Sequence, residues 1–286
     1  MTYSPTAFQF TQLAQAIWSD LGKVLPFHQF LATGGSTTTI ENTIMDTENQ
    51  QQDDGYAVDF TAIVVRDAGG LGAAPEGELQ RISAFASGTT PIFTVDTAFS
   101  SAVVSGDEIM IANGDIPLRE MYRLCNRALT ELGDIENVDI SLTTNSTGQY
   151  TLPVGTLRNH PIGISYADND ADRRIPITDF EVTADGYLFL PEYHESRQLY
   201  ITYVGPHPKL TTYASVIQEV LKPRLVIAAA TEQVMQWLNG TQAGGSTYSL
   251  QRENKAASKM TEYLAKDPST KIAKQAKMFV VGRHVS

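Results

Sequence analysis

Tyr56-Ala57-Val58-Asp59-Phe60-Thr61-Ala62-Ile63-Val64-Val65-Arg66-Asp67-Ala68-Gly69-Gly70-Leu71-Gly72 decides how the chain is read. Side chains alternate from Tyr56 to Thr61 and then give way to an apolar run, the pattern of a strand. Asp67 to Gly72 has the glycine density of a turn or loop. Outward from this stretch, Gln80–Phe85, Ile92–Val95 and Glu108–Ile111 read as further short strands, with Ser87-Gly88 turning the chain. Upstream, Thr33-Gly34-Gly35-Ser36-Thr37-Thr38-Thr39 is rich in small and β-branched residues. An acidic stretch with Glu41, Asp46, Glu48, Asp53 and Asp54 separates the two. Short strands with turn chemistry between them predict an antiparallel barrel or sandwich over 31–112.

The flanks read as helices. Ser4 and Pro5 suit a helix start, and Phe10, Leu13, Ile17 and Leu21 recur at helical spacing before Gly22. Leu118, Met121, Tyr122, Cys125, Leu129 and Leu132 form a second stripe, with Asp115 as its expected cap and Gly133 as its stop. Ser215–Leu238 reads as a third helix, apolar at Val216, Val220, Ile227, Val234 and Leu238. Pro223 must kink it or start a new one. A Gly/Ser/Thr linker over 241–247 precedes a further helix over 248–266. Between the second and third helices, residues 138–205 supply a second set of strands, rich in tyrosine, with Asp185-Gly186 as a hairpin signal. The expected fold is therefore α+β. A helical bundle core (1–30, 113–137 and 206–266) is interrupted by two antiparallel β-units, at 31–112 and 138–205, and ends in an extended arm at 267–286.

Charge narrows the function. The 286 residues carry 21 basic and 32 acidic side chains, a net −11. Residues 251–286 hold eight basic against three acidic side chains, so the preceding 250 carry −16. An acidic body speaks against tight nucleic-acid binding, and the basic end reads either as a solvated helix face or as an interaction tail. The start has no basic and apolar leader and the sequence no run of 18 apolar residues, so the chain is expected to be made in a cytoplasm and to have no membrane partner.

Catalytic patterns are weak. The five histidines, His28, His160, His194, His207 and His284, include no pair at helical ligand spacing, although His194 and His207 could meet across strands. Asp168-Asn169-Asp170-Ala171-Asp172 has the spacing of a calcium loop. Arg173 stands where that loop needs glycine and Asp179 where it needs glutamate, so a solvated turn with local Asp–Arg pairing is the expectation. Glu76 with Glu78, or Glu192 with Glu195, could serve a glycosidase only across a cleft. Cys125, the single cysteine, sits on an apolar stripe and reads as a small core residue. No nucleophile elbow, Walker loop or dinucleotide fingerprint occurs, and neither an enzyme nor a cofactor is expected.

One resemblance rests on a scattered set of residues. These are Thr33–Thr39, Asp53-Asp54-Gly55-Tyr56, Ile63–Gly70, Pro75-Glu76-Gly77-Glu78, Arg81-Ile82-Ser83, Phe93-Thr94-Val95, Phe99 and Ser105-Gly106-Asp107. Together they are similar to a β-module of tailed-bacteriophage virion proteins. Asn126–Gly133, Asp139–Thr144 and Tyr203–Pro208 also look phage-like. A helical core with β-insertions and a terminal arm resembles head-to-tail adaptor (connector or neck) proteins. That resemblance implies a structural, homo-oligomeric, dodecameric ring between portal and tail proteins, at the head–tail junction of a virion assembled in the host cytoplasm. Double-stranded DNA would pass through it without sequence recognition. It further implies that the arm docks on the portal protein through Lys271, Lys274, Lys277, Phe279 and Arg283. The alternative is a tail-fibre or baseplate adhesin binding carbohydrate or protein through its β-units.

Overall fold

The structure, a computed structural model, describes residues 7–21, 27–43, 54–145, 147–152, 161–167, 174–190, 197–241 and 258. Ser4, Pro5, Gly22, the linker after Thr241 and the arm at 267–286 lie outside the described residues, as does the expected helix over 248–266 apart from Ser258. Within the described residues the chain forms two compact units, one from residues up to Glu131 with Pro208 onward, the other from Leu132–His207.

The first unit is built around β1 (Phe27–Leu31), β2 (Gly34–Gly35), β3 (Thr39–Glu41), β4 (Thr61–Arg66), β5 (Leu79–Ala86), β6 (Ile92–Val95) and β7 (Glu108–Ala112). They form one antiparallel sheet in the order β1-β7-β4-β5-β6-β3-β2. Its two outermost strands are neighbours in sequence. Ala32 donates its N–H to the Asp107 carbonyl on one side, and Thr33 donates to the Glu41 carbonyl on the other. A single path thus pairs with both ends of the sheet and closes it into a barrel, which removes the exposed edges an open sheet would have. Register shifts at Val64/Arg66 and Ile82/Ala84 supply bulges where the strands must curve. Ile40, Val64, Ile82, Phe93, Ile109 and Ile111 are among the side chains that fill the interior. Gly35 at the β2–β3 turn has φ +154°, and a Cβ there would stand 2.4 Å from the Thr39 carbonyl oxygen, so only glycine fits.

Among the described residues three helices accompany the barrel: α1 (Phe10–Leu21), α2 (Leu118–Leu132) and α3 (Pro223–Thr241). The expected faces of α1 and α2 are the ones buried, including Phe10, Leu13, Ile17 and Leu21 on α1 and Met121, Cys125 and Leu129 on α2. Gly133 takes φ +98°, a left-handed stop. Asp115 does not cap α2. Its own N–H is engaged by Asn113 Oδ1 at 2.7 Å, and the first helical bond runs from Met121 N–H to the Pro117 carbonyl at 3.0 Å.

The expected helical-bundle core is overturned, in a chain that still combines helices and sheets as an α+β fold does. The described residues hold fourteen strands in three antiparallel sheets against three helices, so sheet, not a helical bundle, is the core. Two stretches account for the difference. Residues 206–222 stay irregular, because Pro223 cannot continue a helix and pushes Lys222 out of helical conformation. Ala214, Ile217 and Leu221 are buried there, while Val216 and Val220, the expected helical face, are exposed. The segment instead runs along the start of α1: Phe10 donates to the Ser215 carbonyl at 2.9 Å, Thr11 to the Tyr213 carbonyl at 3.2 Å, and Ile217 to the Phe8 carbonyl at 2.8 Å. Helix N-terminal donors that would otherwise lack partners are met by this strand-like return. Strand β1 also falls within the stretch read as helical core.

The second unit contains β8 (Ile135–Asp139), β9 (Gln149–Thr151), β10 (Gly163–Ala167), β11 (Arg174–Ile177), β12 (Glu181–Val182), β13 (Tyr187–Phe189) and β14 (Leu199–Gly205). A four-stranded sheet, β11-β10-β14-β8, and a three-stranded one, β12-β13-β9, share one core containing Tyr150, Leu188, Ile164, Leu199 and Ile201. Asp185-Gly186 closes the β12–β13 hairpin as its sequence indicates. Only Gly186 takes a positive φ (+83°), so the turn is a three-residue connection with a glycine bulge rather than a two-residue type I′ turn.

His28 on β1 turns into the barrel, with Nε2 3.2 Å from the Tyr56 hydroxyl. Burial holds its imidazole below the ordinary value of 6.5. The unfolded chain therefore takes up a proton that the folded chain resists, so stability falls as pH drops through 6.5 toward the lowered folded value. Urea unfolding midpoints of wild type and His28→Phe, compared from pH 7.5 down to about 5, are expected to show a steeper acid loss in wild type. Parallel curves would overturn this role.

Candidate interaction surfaces

The residues expected to dock on a portal, Lys271, Lys274, Lys277, Phe279 and Arg283, all lie outside the described residues. So do His160, His194, His284, Glu192, Glu195 and the Asp168–Arg173 stretch. Arg174, which follows that stretch, opens β11 and holds its guanidinium 4.1 Å from the centre of the Tyr200 ring, a cation–π contact. Cys125 is fully buried and burial pushes its thiol up, which keeps it in the inert thiol form. Among the described residues no three of His, Cys, Asp and Glu are grouped so as to hold a metal.

Glu76 and Glu78 do not face each other across a cleft. They belong to a set of four buried carboxylates, with Asp67 and Asp107, that anchors the barrel's long loops. Asp107 accepts the Ala68 N–H on Oδ1 and the Val104 N–H on Oδ2, both at 2.8 Å. Asp67 accepts the Gly69 N–H at 2.6 Å, and Glu76 accepts the Asp67 N–H at 3.3 Å. Glu78 accepts both the N–H of Ser100, at 2.9 Å, and its hydroxyl. Each charge is met by backbone or hydroxyl donors, which is how a buried carboxylate is accommodated without a cation. Thr11 at the start of α1 donates its hydroxyl to the Gly77 carbonyl and so fixes the same loop from the helix side. This arrangement sets the loop 67–78, with Leu71 at 74% exposure on its tip. Nothing in the sequence distinguished these carboxylates from solvated ones.

A side-chain amide does similar work on α2. Asn126 donates from Nδ2 to the Leu210 carbonyl at 2.9 Å and accepts the Leu210 N–H on Oδ1 at 2.8 Å, pairing as a peptide group would. The outer side of the same helix presents Arg119, Arg123 and Arg127. Arg123 is paired with Glu120 at 2.6 Å and Arg127 with Glu131 at 3.0 Å. That pairing makes the stripe an ordinary solvated helix face.

The second unit offers a different surface. On β13 the fully buried Leu188 points inward while Tyr187 and Phe189 point outward, 39% and 37% exposed. Register places Thr151 beside Tyr187, and both Gln149 and Glu181 beside Phe189. No protein-family model, curated protein or solved structure matches the chain.

Proposed function

We propose that the chain is a structural virion protein of a tailed bacteriophage, a ring-forming adaptor between portal and tail through which double-stranded DNA passes unread. The observation that carries this reading is the placement of the residues behind the phage resemblance. Gly35, Asp67, Glu76, Glu78 and Asp107 are the ones whose hydrogen bonds or tight backbone shape the barrel and its loops. A resemblance concentrated on architectural residues supports a shared structural module rather than shared chemistry. With a sheet core, ring contacts would come from barrel and sandwich surfaces in place of a helical bundle. The basic arm would attach to an acidic portal surface, with Lys271, Lys274, Lys277 and Arg283 steering it and Phe279 as the buried anchor. Repetition around a ring turns a modest contact into firm attachment.

Purified virions imaged with this chain labelled are expected to carry it at the head–tail junction. Removing residues 267–286 is expected to leave circular dichroism and thermal midpoint near wild type while abolishing attachment to the portal. Normal attachment by the truncated chain would refute the docking role, and label at the tail tip in three copies would refute the adaptor itself. The adhesin reading draws on one observation of its own, the outward aromatic pair of β13.

A further inference from the structure

We propose that the outer face of the β12-β13-β9 sheet is a binding site for uncharged polysaccharide, with Tyr187 and Phe189 as a stacking platform. The pair is set by the strand itself. Residues two apart share a face and lie about 6.5–7 Å from each other, so the two rings stand side by side on the central strand. Leu188 between them is held in the core beside Val182 and Tyr150, which keeps the strand from rolling over. The flanking strands supply Gln149, Thr151 and Glu181 on the same face. Among the described residues none makes a hydrogen bond to the Gln149 amide, the Thr151 hydroxyl or the Glu181 carboxylate. An apolar ridge edged by polar side chains matches a sugar ring, whose flat C–H faces stack on aromatics and whose hydroxyls need polar partners at the rim.

Other occupants fit less well. Nucleobases also stack on aromatic platforms, but their phosphates need cations, and these three strands contain no Lys or Arg and one Glu. Two partly exposed rings offer roughly 200 Å² or less, well below the ~800 Å² per partner of a stable protein interface. A single polysaccharide chain needs no more than such a ridge. The site requires neither a ring nor a portal, so it stands or falls apart from the adaptor reading.

The test uses the full chain. Saturation-transfer-difference NMR with chitohexaose and maltohexaose, together with an array of bacterial surface glycans, reads binding directly. Wild type is expected to bind at least one neutral glycan with a Kd of about 10⁻⁴ to 10⁻³ M. Tyr187→Ala and Phe189→Ala are each expected to weaken it about tenfold or more. Gln149→Ala, at a fully surface position, is expected to weaken it several-fold with an unchanged thermal midpoint. Absence of binding to every glycan overturns the proposal. Binding that survives both aromatic substitutions overturns the placement, and loss of self-association in Tyr187→Ala without any glycan binding assigns the face to a protein instead. Virion location plays no part in these readouts, so a failure here leaves the adaptor reading to its own test.

Discussion

Replacing Asp107 by alanine is expected to destabilise the first unit by about 3–5 kcal/mol and to open the 67–78 loop to protease. Asp107 is fully buried, and its two oxygens each accept one backbone N–H, from Ala68 and from Val104. Those two donors sit on different loops, so one side chain ties the β4–β5 connection to the turn before β7. Removing it strands two part-buried backbone donors at about 1–3 kcal/mol each and leaves a void where the fully buried carboxyl stood. Asp107→Asn keeps one acceptor but sets an N–H₂ group against the second N–H, so a loss of about 2 kcal/mol is expected. Against a typical stability of about 5–15 kcal/mol, the alanine change removes a large share. Urea unfolding measures the loss, and limited proteolysis around Gly69–Ala73 reports the loop. A wild-type midpoint for Asp107→Ala would mean that the loop is held by packing alone.

The same carboxylates mark the limit of what sequence reveals here. Strand β4 was legible because Ala62, Ile63 and Val64 make an apolar run that no helix period explains, and all three are buried. The Asp185-Gly186 turn and the Cys125 stripe were legible because their signals are local. Strand β1 was not. Its inward positions are His28 and Phe30, and a histidine hides the alternation. Its partner β7 lies about eighty residues further on, so nothing nearby in sequence points to the pairing. Tyr56–Phe60 alternates like a strand yet forms turns, with Asp59 at φ +71° and its N–H on the Ile82 carbonyl. Local pattern there lost to the need to cap the barrel. Ser215–Leu221 failed in the opposite sense: buried Ala214, Ile217 and Leu221 fall at near-helical spacing, but the backbone hydrogen bonds go to α1. The aromatic pair of β13 was visible as a tyrosine-rich strand, but only the register shows which polar side chains share its outward face.

Phe10→Ala is the second change expected to act strongly, at about 3–5 kcal/mol. Phe10 is fully buried at the first position of α1, and its ring stacks on Tyr122 of α2 with centroids 3.8 Å apart and an interplanar angle of 15°. Its N–H is bound to the Ser215 carbonyl. One residue therefore joins α1, α2 and the irregular segment that took the place of an expected helix. Truncation removes the stack, leaves a cavity where three elements meet, and exposes one side of Tyr122, whose phenol burial now pushes up. Two measurements separate this from a generic loss of core volume. The alkaline ultraviolet titration of Phe10→Ala should gain a tyrosine that ionises earlier than in wild type, a change that Phe10→Leu should produce only in part. Cys125, one turn further along α2 from Tyr122 and fully buried, should also react faster with a thiol reagent in Phe10→Ala. If the alanine variant unfolds at a wild-type urea midpoint with Tyr122 and Cys125 unaltered, the helices are held to the barrel by something other than this junction. If it loses stability as expected, α1 and α2 are shown to depend on this aromatic contact and on the strand-like return that backs it.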